Sequence, residues 1–305
     1  MNAHGLMFHH FHGDDHTPGQ GSILADDFEK IIKSYGSRIL SSEEWISRVV
    51  SGKLKSEDVC ITFDDTLACQ VDLALPILEK YDLTAFWFVY TSVFEGELEL
   101  LEILRRFRHE AFPSIVEFYV EFENAVDSGE FADLKEELIS GYDHLNWAAY
   151  PFYTSGDTRF RYIRDEILGK NNYEKVMMEM ISKSGFSVAQ LAEGLWMSRE
   201  ALKGLADTGH SIGLHTHRHP TTLTKLSYEE QVEEFGLNLK SITDICGMPP
   251  RTVAYPCNSY NADTLRLMQE MDIEVGFRAN MRLGLGDDLE LPREDHANIL
   301  QKLGI

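Results

Sequence analysis

Disulfide staples, membrane spans and excess positive charge are all missing from this chain, and each gap narrows what it can be. Four cysteines, Cys60, Cys69, Cys246 and Cys257, are scattered over 305 residues without a C-x-x-C pair. They are too sparse to cross-link a chain of this size, so a reducing compartment fits best. The densest apolar run, residues 85–90, is a strand's length and falls far short of the roughly 20 residues a spanning helix needs. The N-terminus, Met1-Asn2-Ala3-His4-Gly5, shows no basic region leading into an apolar one, and the expectation is a soluble cytoplasmic protein with no membrane insertion. Basic residues number 28 against 50 acidic, a formal net charge of -22, which repels phosphate backbones and anionic head groups over most of the surface. Nucleic acid is therefore not an expected partner. A locally positive pocket could still take an anionic sugar.

What is present alternates between strands and helices. Residues 5–11 read as a first strand, 13–19 as a polar loop, and 27–35 and 43–50 as helices, the second opened by a capping box of Ser41 with Glu44. Residues 59–63 form a buried apolar strand running into Asp64-Asp65. A helix ending near Tyr81 and a strand at 84–90 complete a βαβ unit, which predicts a parallel sheet or barrel. Residues 95–197 instead show helical spacing, at 98–107, 131–140, 160–168 and 173–182, with breaks at Pro113, Gly141, Pro151 and Gly169. This is a helical insertion within a single 1–305 barrel domain. Its aromatics, Trp147, Phe152 and Tyr153 among them, read as insertion packing, with a sugar-pocket wall as the alternative. Alternation resumes with a helix at 198–206 and strands at 211–214, 252–255 and 273–277. A last strand at 289–291 leads into Pro292-Arg293-Glu294-Asp295. The fold class is α/β, an irregular (β/α) barrel.

Chemistry concentrates at two strand ends. In His215-Thr216-His217-Arg218-His219-Pro220, an extended chain would turn all three histidines one way, whereas a loop would put His215 and His219 on one face and His217 away. A capping box of Ser227 with Glu230 starts the next helix late and favours the loop. Two imidazoles are half of a catalytic metal site, which takes three protein ligands and leaves a position for water. Asp64 and Asp65 would raise one another's pKa unless a cation sits beside them. One carboxylate can ligate that ion while the other accepts a proton. His10-Phe11-His12 offers a rival, the H-x-H pair of amidohydrolase-type barrels with both histidines as ligands. A catalytically silent carbohydrate-binding protein is a third reading.

Thr62-Phe63-Asp64-Asp65, His215-Thr216-x-x-His219-Pro220 and Ala254-Tyr255-Pro256-Cys257-Asn258 together resemble the polysaccharide deacetylase family of the carbohydrate esterase family 4 type. The resemblance covers roughly residues 1–94 and 196–300. It implies the family's barrel and a metal-dependent hydrolase acting on a linear amide, with Asp64 as catalytic base and Asp65, His215 and His219 as ligands of one divalent ion. Zinc is the expected metal, though iron, cobalt or nickel suit the same donors. The oxyanion would be held by the metal and by the backbone N–H of Cys257 after Pro256, the Cys257 thiol itself being packing. His217 turns away from the metal, and Thr216 bonds within the loop. The family's acid-bearing Leu-x-His segment has no counterpart near the C-terminus, where Leu291-Pro292-Arg293-Glu294-Asp295-His296 departs from it. Leu6-Met7-Phe8-His9 resembles the corresponding segment of circularly permuted members, which makes His9 the general acid, with His10 next. Arg251 lies too far down its strand to hold the base, and Arg293 resembles the arginine that orients it in permuted members. The implied substrate is an N-acetylated sugar, nucleotide- or lipid-linked, made for a surface glycan such as lipopolysaccharide.

Overall fold

Residues 59–64 are buried throughout, and their two faces meet different neighbours. In the computed structural model, which describes residues 2–13, 15–134, 154–282 and 288–304, the strands are β1 (His4–Phe8), β2 (Phe11–His12), β3 (Ile23–Leu24), β4 (Val59–Asp64), β5 (Phe86–Val89), β6 (Ser211–Leu214), β7 (Thr252–Ala254), β8 (Val275–Phe277) and β9 (Arg293–Asp295). Seven of them form one sheet in the order β8-β7-β6-β5-β4-β1-β9, parallel throughout. A bridge between Phe277 and Leu291 brings the two edges together, so the sheet is a nearly closed barrel. That approach needs Gly276, where a Cβ would meet Leu289 O at 2.3 Å.

Because strand side chains alternate, the barrel has an inner and an outer set. Leu6, Phe8, Ile61, Phe63, Trp87, Val89 and Leu214 pack outward with helical residues such as Phe28, Leu202, Phe235 and Ile242. Cys60, Phe86, Phe88, Ala254, Val275 and Phe277 pack inward, together with Trp45, Ile46 and Val49 from the helix Ser42–Val50. The inner phase carries Thr62 and Asp64 on β4, Gly213 on β6 with His215 just beyond it, and Gly5 and Met7 on β1 with His9 just beyond. Functional side chains at the C-terminal strand ends are therefore extensions of the inner set.

Several boundaries differ from the sequence expectation. β1 stops at Phe8 rather than at residue 11, because His10 O accepts from Ile23 N at 3.0 Å and the chain enters the small β2-β3 sheet. The last strand lies beyond Pro292, not before it: Leu291 N donates to Gly276 O on β8 at 2.8 Å, while Gly5 N of β1 donates to Pro292 O at 3.0 Å. The chain thus changes partner strand at the proline. Only half of the first capping box forms. Glu44 N donates to Ser41 Oγ at 3.2 Å, but the Glu44 carboxylate receives Arg48 at 2.5 Å instead. The second box, Ser227 with Glu230, is complete.

The chain divides into two compact units, Met1–Glu99 with Gly194–Ile305, which carries the barrel, and Leu100–Glu193. The second is helical among its described residues, with helices at Leu100–Glu110, Ile115–Ser128, Ser155–Tyr162, Gly169–Ser184 and Val188–Ala192. Phe118, Phe122, Phe160 and Tyr173 meet edge to face in its core. The helix Ile115–Ser128 has no counterpart in the sequence reading, since its Val, Phe and Tyr content carries strand propensity. A Ser114 cap on Glu117 N and burial of Phe118, Tyr119, Phe122 and Val126 at helical spacing make it a helix. Gly169 is a break as expected: at φ 65° and ψ 174° it interrupts the helical path between a π-helical stretch, Ile163–Leu168, and the next helix. Asp14, Gly141, Trp147, Pro151, Phe152, Tyr153 and most of the expected helix at 131–140 lie outside the described residues. Among the described residues no helix is long and apolar enough to cross a membrane.

Candidate active site

β6 ends at Leu214 and His215 continues its inward phase before the chain bends, with Thr216 at φ 66° and His219 at φ 52°. Those left-handed residues tighten the loop. Thr216 Oγ1 donates to His215 O at 2.5 Å and accepts from His219 N at 3.1 Å, so His215 and His219 face the same point. On β4 the corresponding bend comes at Asp65 (φ 80°) and Thr66 (φ 61°). It breaks the strand alternation that would otherwise send adjacent carboxylates to opposite faces. Asp65 Oδ1 lies 3.4 Å from His215 Nε2 and 3.3 Å from His219 Nε2. Ligand atoms of the three residues all fall within 4.8 Å of one another, and all three side chains are buried.

This donor set fits a divalent cation. His215 Nδ1 lies 2.8 Å from Ala254 O, which puts a hydrogen on Nδ1 and directs Nε2 toward Asp65 as the atom that would ligate a metal, the usual arrangement behind a ligating histidine. His215 N donates to Asn238 Oδ1 at 2.9 Å, and the Asn238 amide reaches Val89 O and Thr91 Oγ1. Burial pushes the Asp65 carboxyl up, but its contacts with His215 and His219 outweigh that and hold it well below the ordinary carboxylate value. His217 is outside the trio, with Nδ1 2.9 Å from Thr91 Oγ1. The Glu234 carboxylate accepts from the N–H groups of His217 and Arg218, at 3.1 and 2.8 Å, and fixes the middle of the loop.

Beside the trio stands Asp64, 3% exposed, gripped by Arg293, 0% exposed. Nη1 donates to Oδ1 at 2.6 Å and Nη2 to Oδ2 at 2.7 Å, a two-pronged pairing that fixes the carboxylate plane. Arg293 Nε donates to Arg278 O at 2.8 Å. The side chain crosses the barrel over Gly5, where a Cβ would meet Arg293 Cγ at 3.0 Å and Thr62 Cγ2 at 3.1 Å. Burial raises the Asp64 pKa, yet Arg293, His215 and His9 bring it below the ordinary value. Arg251 pairs with Glu274 and Glu43 at the start of β7, away from this end of the strands.

The parallel register pairs Phe8 with Phe63, so one residue further His9 falls beside Asp64 on the inner face. His9 Nε2 is 3.7 Å from Asp64 Oδ2. His296 stacks on outward-facing Phe8 at 5.9 Å. The turn Pro256–Asn258 follows β7, with Pro256 buried and Cys257 at φ 50°, ψ 25°. The Cys257 thiol, expected in the packing, is exposed, because the left-handed backbone turns it outward. His12 Nδ1 meets Ser22 Oγ at 2.8 Å, and the candidate cluster of metal-ligating groups among the described residues contains neither His10 nor His12.

Sequence reasoning missed Gln70, Glu234 and Asn238. Glu234 and Asn238 share the buried face of the helix Tyr228–Cys246 with Phe235 and Ile242, and polar residues in an apolar phase were the available signal. Gln70 opens a π-helical stretch, Gln70–Ala74, which no sequence pattern announces.

A nearly closed parallel barrel thus carries a carboxylate–dihistidine trio and an arginine-held carboxylate together at its C-terminal strand ends. A sequence profile of the polysaccharide deacetylase family matches residues 169–276, in agreement with the resemblance carried by the motifs. In fold the chain is similar to the Streptococcus pyogenes deacetylase PplD in complex with acetate, at a TM-score of 0.58 and 17% identity over 99% of this chain and 97% of that one. It is also similar to a de-N-acetylase from Aggregatibacter actinomycetemcomitans, at a TM-score of 0.56 and 13% identity over 95% and 93% of the chains. IcaB from Ammonifex degensii gives a TM-score of 0.56 and 13% identity over 96% and 90%. No curated protein matches this sequence.

Proposed function

We propose that this protein is a metal-dependent hydrolase that removes the acetyl group from an N-acetylated sugar. The observation that carries the reading is the buried trio Asp65, His215 and His219 next to an Asp64 carboxylate held by Arg293. A divalent cation bound by that trio, zinc by donor type, would polarise the acetyl carbonyl and acidify a water. The chain's own groups do the rest. Asp64, kept charged by Arg293, accepts a proton from the attacking water as the new C–O bond forms. Backbone N–H of Cys257, presented by the turn after Pro256, donates to the developing oxyanion. His9 then gives a proton to the amide nitrogen as the C–N bond breaks, so acetate and a free amine leave. A shallow separation of base and acid, 3.7 Å, suits two groups that serve one tetrahedral centre from adjacent strands.

The substrate in this reading is a small glycan intermediate, nucleotide- or lipid-linked and destined for a surface polysaccharide of the lipopolysaccharide type, processed in the cytoplasm. Product analysis tests this: the zinc-loaded protein should release acetate from linked mono- or disaccharides faster than from long polymers. Deacetylation confined to the interior of long polymers would sink the biosynthetic reading.

A further inference from the structure

We propose that Gln70 is the positioning residue that sets His9 against Asp64. The inference rests on the reading of those two residues as acid and base. Ladder pairing of β1 with β4 ends at Phe8 and Phe63, one residue short of both functional side chains, so regular sheet bonding does not fix their separation. Gln70 takes over at that point. Its single amide nitrogen, Nε2, donates to His9 O at 2.7 Å and to Asp64 O at 2.5 Å. Two hydrogens on one rigid, planar group thus tie the two strand ends to each other across the site.

A second tether comes from the preceding residue, as Phe11 N donates to Cys69 Sγ at 3.3 Å. The His9-His10-Phe11 segment is therefore pinned at both ends by neighbouring side chains of one element. Gln70 is 1% exposed and opens the π-helical stretch Gln70–Ala74, a wider turn that recurs at functional sites. An apolar residue would fill the same space but would leave the buried Asp64 carbonyl and the part-buried His9 carbonyl without this donor. A clamp that served stability alone would not need to land on the two backbone carbonyls belonging to the acid and the base.

The test is a double-mutant cycle on the metal-loaded full chain, with acetate release, metal content and thermal midpoint measured for each variant. In the wild-type background Gln70→Leu should lower kcat by about tenfold to hundredfold, the scale of a misplaced catalytic group, with KM within about threefold. In the His9→Ala background the same substitution should change kcat by less than about threefold, because the group it positions is gone. Equal losses in both backgrounds, or no loss in the first, would overturn the proposal. Should Gln70→Leu fail to fold, Gln70→Asn keeps the donors on a shorter stem. A crystal structure of either variant should show the His9 Nε2 to Asp64 separation lengthened from 3.7 Å, and an unchanged separation would also overturn it. Full activity in His9→Ala alone would instead remove the acid assignment, and the crystallographic distance would still decide what Gln70 does.

Discussion

Asp65, His215 and His219 bring three buried donors to one point, and nothing but a cation or a proton relieves the crowding of their lone pairs. Calorimetric zinc titration should therefore show one site in the wild-type chain, and Asp65→Ala, His215→Ala and His219→Ala should each weaken it by at least about a hundredfold, since each removes a third of the coordination. His10→Ala and His12→Ala should leave the affinity within about threefold; loss of the site in those two variants would favour the amidohydrolase-type alternative. These ligand candidates were legible in the sequence because residue type and spacing carry them. The residues that hold them were not. Asn238 and Gln70 act through amides on backbone carbonyls of other strands, and no local pattern predicts a partner 149 or 61 residues away.

The elements show why the strand alternation was a better guide than the strand boundaries. On β4 the inner phase runs through Cys60 and Thr62 to Asp64, and on β6 it runs through Gly213 to His215, so the direction of each functional side chain follows from two-residue periodicity. Charged β9 was hidden. Arg293-Glu294-Asp295 carries no strand propensity, yet Arg293 is inside the barrel because Asp64 meets it there. Room inside is tight: at Gly213 a Cβ would stand 2.5 Å from Phe88 Cδ1 and 2.6 Å from Thr252 Oγ1. Gly213→Ala should therefore destabilise the protein by about 1–3 kcal/mol through overpacking, read as a lowered thermal midpoint. An unchanged midpoint would mean that the interior gives way more easily than these contacts indicate.

For the molecule as a whole, the excess of acid sets how stability answers to pH, but particular buried groups set where. His210 is 7% exposed, and its Nδ1 accepts from Ala85 N at 3.0 Å, a bond that protonation would break. Burial lowers its pKa to about 4, so between the ordinary histidine value near ~6.5 and about 4 the unfolded chain binds a proton that the folded one refuses. Folding stability should be full above that window and fall on the order of 3 kcal/mol across it. Urea midpoints measured from pH 7 to pH 4 should show the decline, and His210→Gln should flatten it. Asp64 and Asp65, both held below the ordinary carboxylate value, add their own loss only at still lower pH. The α/β barrel was readable from its alternating strand and helix periods over long stretches, whereas closure of the sheet at Gly276 and Pro292 depended on contacts between distant segments. Above all of this stands one chemical claim, that Asp64 is the base of a metal-assisted deacetylation. Acetate released by the zinc-loaded protein from a panel of N-acetylated sugars, compared with Asp64→Asn at equal metal content, tests it most directly. The account predicts acetate from the wild type and at least about a hundredfold less from the variant; equal rates, or no acetate from a wild type that holds its zinc, would contradict it.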